Sequence, residues 1–494
     1  MKSSYRPATI AGVLAITAFL SVVTHSSANP WTDVTAPFPG SGPDTSLLLT
    51  DGTVLMHDWC TTNWYRLTPD INGLYETGTW SAIAAMPSGY APAYFASEIL
   101  PDGNLIVNGG EYNNPGTGCA LANTNQGALY NPVTNSWTTV SAPAGWTTIG
   151  NSQSAVLPNL EYVIADCCNT NEALTANDGV SWSVTGTGKA DPNTNEGWTN
   201  LPNGDLLTVD TSQTVAGPAA VELYSAGSWS SGGTTFSQLV DPTSHLIGPG
   251  VLRPDGYLVY FGATGNTNLA NANLATPTWA AGPSFPVISA QQYAVEPGPA
   301  ALLPHGNILV QASPGGAPPS RFFLFTTTNA LQQEARPASA HFVSSGEGRL
   351  LVLPTGQALW SNDGATGHAE IATYTPTGSP LTAWRPVITS VPTLLIRGST
   401  ANTISGQQFN GWSQGASYGS FAQESTNYPI VRIVNNATGH VFYARSYHFT
   451  TMGVWTAGMN ARFDVPATCE LGASRIYVVV NGIVSHGMNV TVKT

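Results

Sequence analysis

Ionisable side chains recur at one place in this sequence, the start of a short apolar segment that runs into a repeated turn. Tyr94, Glu196, His245 and Glu347 occupy this place in four different repeats. Two carboxyl groups at a fixed separation can act as general acid and general base, and histidine titrates near neutral pH. We therefore predict these four residues as catalytic candidates.

A second set of polar residues is predicted to bind a ligand. Some begin the same apolar segments, and others follow the next segment of their repeat. Carboxylates gathered in this way can also hold a cation, and an arginine can neutralise a carboxylate or clamp a sugar acid. The predicted binding residues are Asp44, His57, Glu111, Glu296, Arg349 and His440.

The repeated turn is a four-residue tag that defines these positions. Its third and fourth residues are mostly Asp, Asn or Gly, the residues that a tight turn requires. The tags read LTDG at 49–52, LPDG at 100–103, LPNL at 157–160, LPNG at 201–204, RPDG at 253–256, LPHG at 303–306 and LPTG at 353–356. Successive tags lie 44 to 57 residues apart.

A period near fifty residues with short strands on either side predicts a β-propeller with one four-stranded sheet per repeat. In the second repeat we predict strands over 94–100, 104–110, 127–132 and 135–140. Seven tags predict seven blades over residues 29–385. In such a propeller the starts of the innermost strands and the loops after the second strands meet at one end of the central channel. The candidate residues above are therefore predicted to share one mouth.

Tryptophan marks the predicted fourth strand of most repeats, where we expect it to pack between blades. Leu331 stands near this place in the sixth repeat, and the sequence around Trp31 is predicted to be an outer strand that closes the ring onto the seventh repeat. The marker residues are Trp80, Trp137, Trp182, Trp229, Trp279 and Trp384.

The pattern changes after the seventh repeat. Alternating strands over residues 386–494 predict an immunoglobulin-like β-sandwich. The segment 438–455 is rich in His, Arg and aromatic residues, and it is interpreted either as a hairpin that enters the channel with His440 or Arg445, or as a packed edge strand.

The ends and the composition of the chain predict export. Residues 1–28 combine a basic start, an apolar run and a small-residue cleavage site, which is typical of a secretory signal peptide. No later segment is long and apolar enough to predict a membrane span. The formal net charge of −13 disfavours nucleic acid as a partner. We expect a secreted or periplasmic protein, acting as a monomer on a glycan or small-molecule ligand.

Five cysteines are expected to staple the fold rather than to act as nucleophiles. Cys60 and Cys119 can pair across neighbouring blades, as exported proteins allow. Cys167 and Cys168 can form a vicinal disulfide or pair elsewhere, and the odd number leaves one thiol unassigned.

The order of signal, seven kelch-like repeats and C-terminal sandwich resembles the galactose oxidase and glyoxal oxidase superfamily. The resemblance spans nearly the whole predicted mature chain, and it is carried by the Pro-Asp-Gly turns, the Gly109-Gly110 doublet and the Trp strands. It implies a propeller with a copper-radical site. Tyr94 matches the place of the cross-linked tyrosine, but Thr45 stands where its cysteine partner belongs, and no repeat opens with the Tyr-His pair. His440 or His448 could supply a remaining ligand, so copper is possible although the usual set is missing.

Three functions stay open from the sequence. The first is an exported propeller that binds or modifies carbohydrate at the channel mouth, as a lectin-like binder or as a hydrolase or lyase. The second is a copper oxidase with a divergent site, for which His57, His245, His368 and His440 would have to converge. The third is a non-catalytic surface or adhesion module.

Overall fold

The protein is described here by a computed structural model that covers residues 29–176, 179, 181–212, 216–364 and 367–494. The predicted signal peptide, residues 1–28, lies outside the described residues. The described chain is all-β and contains three short 3-10 helices, at Ser339–His341, Ser345–Glu347 and Thr382–Trp384. None of the described helices is long and apolar enough to cross a membrane.

Seven antiparallel sheets of four strands follow one another in the described chain. Each sheet takes its strands in sequence order, except that the seventh borrows its outer strand from the N-terminal end. The sheets are, in order, Pro43–Leu48, Val54–Asp58, Trp64–Thr68 and Thr79–Ala82; Ala96–Ile99, Leu105–Asn108, Gly127–Asn131 and Ser136–Val140; Ser154–Val156, Tyr162–Ala165, Glu172–Thr175 and Ser183–Thr185; Thr199–Asn200, Leu206–Val209, Ala220–Ser225 and Ser228–Thr234; Gly250–Leu252, Tyr257–Phe261, Thr267–Asn271 and Trp279–Ala281; Ala300–Leu302, Ile308–Ala312, Arg321–Phe325 and Leu331–Glu334; Gly348–Val352, Ala358–Asn362, Ile371–Tyr374 and Trp31–Asp33.

First strands of neighbouring sheets contact one another and form the inner wall. Pro43–Leu48 contacts Gly348–Val352, and Ala300–Leu302 contacts both Gly250–Leu252 and Gly348–Val352. Two small extra sheets lie in the loops. They consist of Pro92–Ala93, Tyr112–Asn113 and Ala120–Leu121, and of Val287–Ile288 with Gln291–Gln292.

Every tag forms the predicted turn between the first and second strands. The amide of the fourth residue donates to the carbonyl of the first, as from Gly103 to Leu100 at 2.8 Å. The fourth residue has a left-handed backbone, which glycine adopts without steric cost. Leu160 takes this conformation in the third tag with φ 78°, so the turn persists there without glycine.

The N-terminal strand closes the ring as predicted. Trp31–Asp33 pairs antiparallel with Ile371–Tyr374, with Trp31 opposite Tyr374. The prediction that Trp384 marks a seventh fourth strand is wrong, because Trp384 ends the 3-10 helix Thr382–Trp384 and the N-terminal strand holds that place.

Outer-strand tryptophans join four of the sheets to the connections that enter them. Four indole N–H groups donate to backbone carbonyls at 2.7 to 3.1 Å, and the ring packs beside the neighbouring sheet, as Trp137 does against Trp64. The four pairs are Trp31 with Ala335, Trp80 with Ala36, Trp137 with Ala84 and Trp182 with Ser141. The packing role predicted for these residues is confirmed.

The C-terminal strands form two further sheets. One contains Val387–Ser390, Asn402–Gln407, Met459–Phe463 and Ser446–Tyr447; the other contains Leu394–Ile396, Met488–Lys493, Gly472–Val480, Ile430–Asn435 and Val441–Ala444, with Ile483–Val484 paired to Gly472–Val480. Their facing apolar residues share one core with the first three sheets of the ring.

A segment of the C-terminal part fills the ring, and we call residues 413–427 the channel insert. All of its residues are buried. Its strand Ala416–Ser417 pairs with Ala300–Leu302 on the inner side of the sixth sheet. The interpretation of 438–455 as the entering hairpin is wrong, since that segment forms the strands Val441–Ala444 and Ser446–Tyr447 outside the ring. The packed edge strand was the correct alternative.

Two disulfides form among the five cysteines. Cys60 pairs with Cys119, with 5.9 Å between the Cα atoms, and links the first sheet to a loop of the second. Cys167 pairs with Cys168, and Cys469 is a buried free thiol. The pairing of Cys60 with Cys119 is confirmed, and the vicinal disulfide is the correct one of the two alternatives for Cys167 and Cys168.

We expect the Cys60→Ser/Cys119→Ser variant to lose about 3–4 kcal/mol of unfolding free energy, because the link closes a long loop in the unfolded chain. Denaturant unfolding measures the loss. Each single serine variant breaks the same bond, so each should lose nearly as much as the double variant. Single losses that add up to the double loss would contradict this origin.

Candidate functional site

The strand starts at one end of the ring form an arc of polar side chains that we call the channel mouth. All its members are half-buried, so they combine fixed positions with access to solvent. The members are Tyr94, Glu111, Tyr112, Asn151, Asn195, His245 and Glu296.

Three mouth residues have a backbone conformation that side chains disfavour. Tyr94, Asn195 and His245 have φ of 56°, 57° and 56°, each just before the first strand of its sheet. A left-handed backbone at a residue other than glycine costs roughly 1 kcal/mol or more, and such outliers concentrate at functional sites. At these three positions the left-handed backbone sets the direction in which each side chain leaves the chain.

Hydrogen bonds connect the mouth from one sheet to the next. The Asn151 amide donates to Glu111 Oε2 at 3.5 Å and to Asn195 Oδ1 at 3.1 Å. The arc therefore runs continuously across the second, third and fourth sheets. Amide and carboxyl groups in such a row offer both donors and acceptors to a ligand.

The arc continues to the fifth and sixth sheets. The His245 ring Nδ1 lies 2.9 Å from the carbonyl oxygen of Thr211. The neighbouring Ser244 hydroxyl donates to Glu296 Oε1 at 2.6 Å. The chain segment 244–245 thus contacts the fourth sheet through its imidazole and Glu296 through its hydroxyl.

The two carboxyl groups of the mouth, Glu111 and Glu296, both have a raised pKa. Burial raises the pKa of Glu111 above its usual value. Burial also raises the pKa of Glu296, although the hydrogen bond from Ser244 opposes the shift. A carboxyl with a raised pKa stays protonated to higher pH, which is the property of a general acid.

Aromatic rings form one side of the mouth. The Tyr94 ring lies 5.8 Å from that of Tyr112 and 5.1 Å from that of Phe421 on the channel insert. Burial raises the pKa of Tyr94, so its hydroxyl is a neutral donor. An aromatic face beside a row of polar groups can stack on an apolar ligand face while the polar groups bind its hydroxyls.

A buried arginine lies below Tyr94. The Arg349 guanidinium forms an ion pair with Asp44 at 2.7 Å and stacks over the Tyr418 ring, 4.0 Å from its centroid. Its Cζ atom lies 5.8 Å from the centroid of the Tyr94 ring. Burial is the largest influence on the pKa of Arg349 and lowers it, but Asp44 together with Tyr418, Glu424 and Tyr94 raises the pKa above its usual value. Arg349 and Asp44 are fully buried, so they support the mouth without reaching solvent.

The channel insert contributes a second buried acid, Glu424, which interacts with Arg349. Glu424 is fully buried, and neither of its carboxyl oxygens accepts a hydrogen bond. Burial raises the pKa of Glu424 to about 8, although Arg349 opposes the shift. The acid is therefore neutral at pH 7.

Close backbone contact fixes the insert. Gly419 has φ 108°, and a Cβ atom there would lie 2.7 Å from the Ile247 carbonyl oxygen. The Tyr418 hydroxyl donates to the Gly346 carbonyl, and the Asn200 amide donates to Gln414 Oε1 at 3.0 Å. Only glycine fits at position 419, and the insert is held from the fourth to the seventh sheet.

Several predicted site residues lie away from the mouth. Glu196 is fully buried and pairs with Lys189 at 3.1 Å. Glu347 accepts the Ser344 amide at 2.6 Å and caps its own 3-10 turn. Glu196 is therefore closed off from solvent, whereas Glu347 is half-buried at the start of the seventh sheet with its carboxyl held by its own turn.

Two other histidines that were predicted as site residues, His57 and His440, lie elsewhere in the fold. His57 lies in the core between Trp64 and Phe95, with ring centroids 4.9 and 5.1 Å away, and burial lowers its pKa. His440 pairs with Glu470 at 2.7 Å on the C-terminal sheets. Neither belongs to the channel mouth.

Sequence reasoning missed the insert residues Tyr418, Phe421 and Glu424. The signal that could have found them is the stretch 413–427, which is rich in Ser, Gly and Ala and carries one charged residue. Small residues allow a chain to pass through a narrow space between strands.

A separate cleft of about 540 Å³ lies between the first sheet and the C-terminal strands. Its arginine, Arg445, donates to the Asp102 carbonyl at 2.7 Å and lies 3.8 Å from Asp464. The charge of Arg445 is thus already used in contacts between the ring of sheets and the C-terminal strands. We therefore assign the cleft to the packing of these two parts of the chain.

No protein-family model matches this sequence, and no curated protein matches it. A solved fungal alcohol oxidase of the AA5 family, in complex with copper, aligns over 94% of this chain and 99% of its own, with a TM-score of 0.52 and 14% identity. A virginiamycin B lyase from Staphylococcus aureus aligns over 70% of this chain and 99% of its own, with a TM-score of 0.49 and 9% identity. The first similarity shows the fold alone: this chain is an all-β protein with a β-propeller fold.

Proposed function

We propose that this protein is an exported propeller that binds a carbohydrate at the channel mouth. The observation that supports this function is the continuous half-buried arc that runs from Tyr94 through Asn151 and Asn195 to His245 and Glu296. Sugars present hydroxyls in a row and apolar C–H faces, and the arc offers amide, carboxyl and imidazole groups beside two tyrosine rings.

We infer that the seven sheets are the blades of one propeller over residues 29–385 and that residues 386–494 form an immunoglobulin-like domain. The strand order supports the first part, because each sheet is built from consecutive strands and the N-terminal strand completes the last one. Two packed antiparallel sheets after residue 386 support the second.

Glu111 and Glu296 extend the proposal from binding to catalysis. Both are half-buried mouth carboxyls with raised pKa values. A hydrolase or lyase needs one such acid near the bond that is cleaved and a second group to act as base. The neighbouring His245 supplies a group of the second kind.

Copper-radical oxidation, which the alcohol oxidase similarity brings forward, does not fit the residues around Tyr94. Thr45 stands where the cysteine partner of the tyrosine belongs, and it cannot form a thioether. Among the described residues, the two groups of His, Cys, Asp and Glu close enough to share a metal contain no histidine. We therefore derive no copper chemistry here.

The Glu111→Gln and Asn195→Ala variants are expected to weaken glycan binding about 10-fold each, since each removes a hydrogen-bonding group from the arc. A glycan array selects the ligand, and calorimetry on the selected oligosaccharide measures the affinity. Glu296→Gln tests the second carboxyl, and loss of turnover with retained binding would assign it a catalytic role.

Glu161→Gln is the matched control, because it makes the same change in a turn at the opposite end of the ring. Its affinity should equal that of the unmodified protein. Unchanged affinity in all three mouth variants, or an equal loss in the control, would count against the channel mouth as the site.

A further inference from the structure

Five carboxyl groups are buried together between the third and fourth sheets. Glu172 and Glu222 lie on third strands, Asp191 lies in the connection between the sheets, and Glu196 and Asp210 flank the first two strands of the fourth sheet. Each of them is at most 4% exposed. Among the described residues, Lys189 is the basic side chain that pairs with these acids, so five acids face one base.

The lysine is fully used by three of the acids. Lys189 Nζ lies 2.6 Å from Asp191, 3.1 Å from Glu196 and 2.5 Å from Glu222. An ammonium group has three N–H donors, and each of these contacts takes one. Lys189 therefore has no donor left for Asp210.

Asp210 is the acid without compensation. It is 1% exposed, and neither of its carboxyl oxygens accepts a hydrogen bond from a donor of the described chain. Carboxyl oxygens of Asp191, Asp210 and Glu222 all lie within 4.8 Å of one another. A buried carboxylate without a partner is strongly disfavoured, so the site calls for either a proton or a metal ion.

The charges of the group favour a divalent ion. Five buried carboxyl groups face a single ammonium group in the part of the chain that the structure describes, so acids far outnumber bases at this place. Oxygen atoms of Asp191, Asp210 and Glu222 lie together, and a divalent cation among them would offset more negative charge than one shared proton.

We propose that Asp191, Asp210 and Glu222 bind a calcium ion. The ligand atoms are all carboxylate oxygens, which hard cations prefer and soft metals do not. Oxygen atoms on opposite sides of a calcium ion at 2.3–2.6 Å are at most about 5 Å apart, which the spacing of these groups satisfies. Calcium also tolerates irregular coordination, so backbone oxygens and water can complete the shell.

The ion would stabilise the channel mouth. Thr211, which follows Asp210, places its carbonyl 2.9 Å from the His245 ring. Its hydroxyl donates to the Thr194 carbonyl, next to Asn195 in the arc. Calcium at Asp210 would thus fix the position of Thr211, which contacts the His245 ring and the backbone next to Asn195. This effect does not depend on which ligand the mouth binds.

The test uses the full chain, stripped of metal with EGTA and then titrated with calcium alone at pH 7.5. We expect one calcium per chain by calorimetry and a rise in Tm of at least about 3 °C at saturation. Asp210→Asn should abolish both effects, and the Tm of its metal-free form should equal or exceed that of the metal-free unmodified protein, because it lacks the unpaired carboxylate. Asp205→Asn, in a turn of the same sheet, is the control and should keep both effects.

Absence of calcium binding and of any Tm shift in the unmodified protein would overturn the proposal and assign a shared proton to Asp210 and Glu222. Binding that persists in Asp210→Asn would overturn the ligand assignment. If Asp210→Asn does not fold, Glu222→Gln provides the same comparison, and the titration of the unmodified protein stands by itself. Magnesium at equal concentration should shift the Tm less, since it requires stricter octahedral geometry.

Discussion

The Arg349→Met variant is expected to lose about 3–5 kcal/mol of unfolding free energy, which is the usual effect of removing one partner from a buried ion pair. Arg349 and Asp44 are both fully buried, and the pair is separated by 2.7 Å. Without the guanidinium, the carboxylate of Asp44 has no compensating charge in a site that water does not enter. Denaturant unfolding at pH 7 measures the loss.

The aromatic contacts of Arg349 add to this loss. Its guanidinium covers Tyr418 and lies 5.6 Å from the Phe421 centroid, so it also anchors the channel insert from the seventh sheet. Methionine keeps much of the volume but makes neither the ion pair nor the cation–π contact. We therefore expect the variant to bind glycan more weakly as well, because Phe421 supports Tyr94 in the mouth.

Two further variants separate these effects. Arg475→Met makes the same substitution on an exposed strand position and should change the unfolding free energy by at most about 0.5 kcal/mol. Arg349→Met/Asp44→Asn removes both charges and should recover part of the stability lost by the single variant. A loss below about 1 kcal/mol in Arg349→Met, or no recovery in the double variant, would show that the buried charge is not the cause.

The ring of sheets could be predicted because its signals are local. The tag turns need particular residues at two adjacent positions, as Gly103 shows, and the strands on either side follow from short apolar runs. The closing strand at Trp31 could be predicted for the same reason, since it repeats a marker found in other outer strands. Such features depend on a few neighbouring residues, which the sequence displays directly.

The mouth could be predicted only in part, because a position near a strand start fixes the end of the ring but not the direction of the side chain. Tyr94, Glu111 and Glu296 reach the mouth as expected. Glu196 occupies an equivalent place but turns to Lys189. His57 precedes the end of its strand and turns to the core beside Trp64. These directions depend on which neighbours are available, and those neighbours are distant in the sequence.

The channel insert could not be predicted from periodicity. Its contacts join residues far apart in the chain, as when the Tyr418 hydroxyl donates to the Gly346 carbonyl and Ser425 lies 3.4 Å from Glu98. The segment 438–455 attracted attention through its His, Arg and aromatic residues. A segment rich in reactive side chains attracts attention as a candidate site. The narrow channel instead accommodates a segment with small residues, because even a Cβ atom at Gly419 would be too close to the neighbouring backbone.

We expect the buried acids Glu424 and Glu172 to contribute an unfolding free energy that falls as the pH rises from about 5 to about 8. Burial raises the pKa of Glu424 from 4.5 to about 8 and that of Glu172 to about 8. Between the unfolded and folded pKa values the native state holds a proton that the unfolded chain releases. Their stabilising contribution is therefore full below about pH 4.5 and is lost as the pH rises through about 8.

Each of these two groups should contribute a decrease of about 1.4 kcal/mol per pH unit within this window. Glu424→Gln isolates one of them, because the amide resembles the protonated acid and cannot ionise. We expect this variant to match the unmodified protein at pH 5, to exceed its unfolding free energy by more than about 1 kcal/mol at pH 8.5, and to show a shallower decrease between them.

Guanidinium unfolding at pH 5, 6.5 and 8.5 in the presence of EGTA provides the measurement, and the chelator keeps the proposed calcium site constant. Glu161→Gln serves again as the control and should follow the unmodified protein at all three values. If Glu424→Gln is instead less stable at pH 8.5, Glu424 must be ionised and paired with Arg349 in the native state. The carboxylates of Asp44 and Glu424 would then both be compensated by Arg349. The loss of unfolding free energy expected for Arg349→Met would be correspondingly larger.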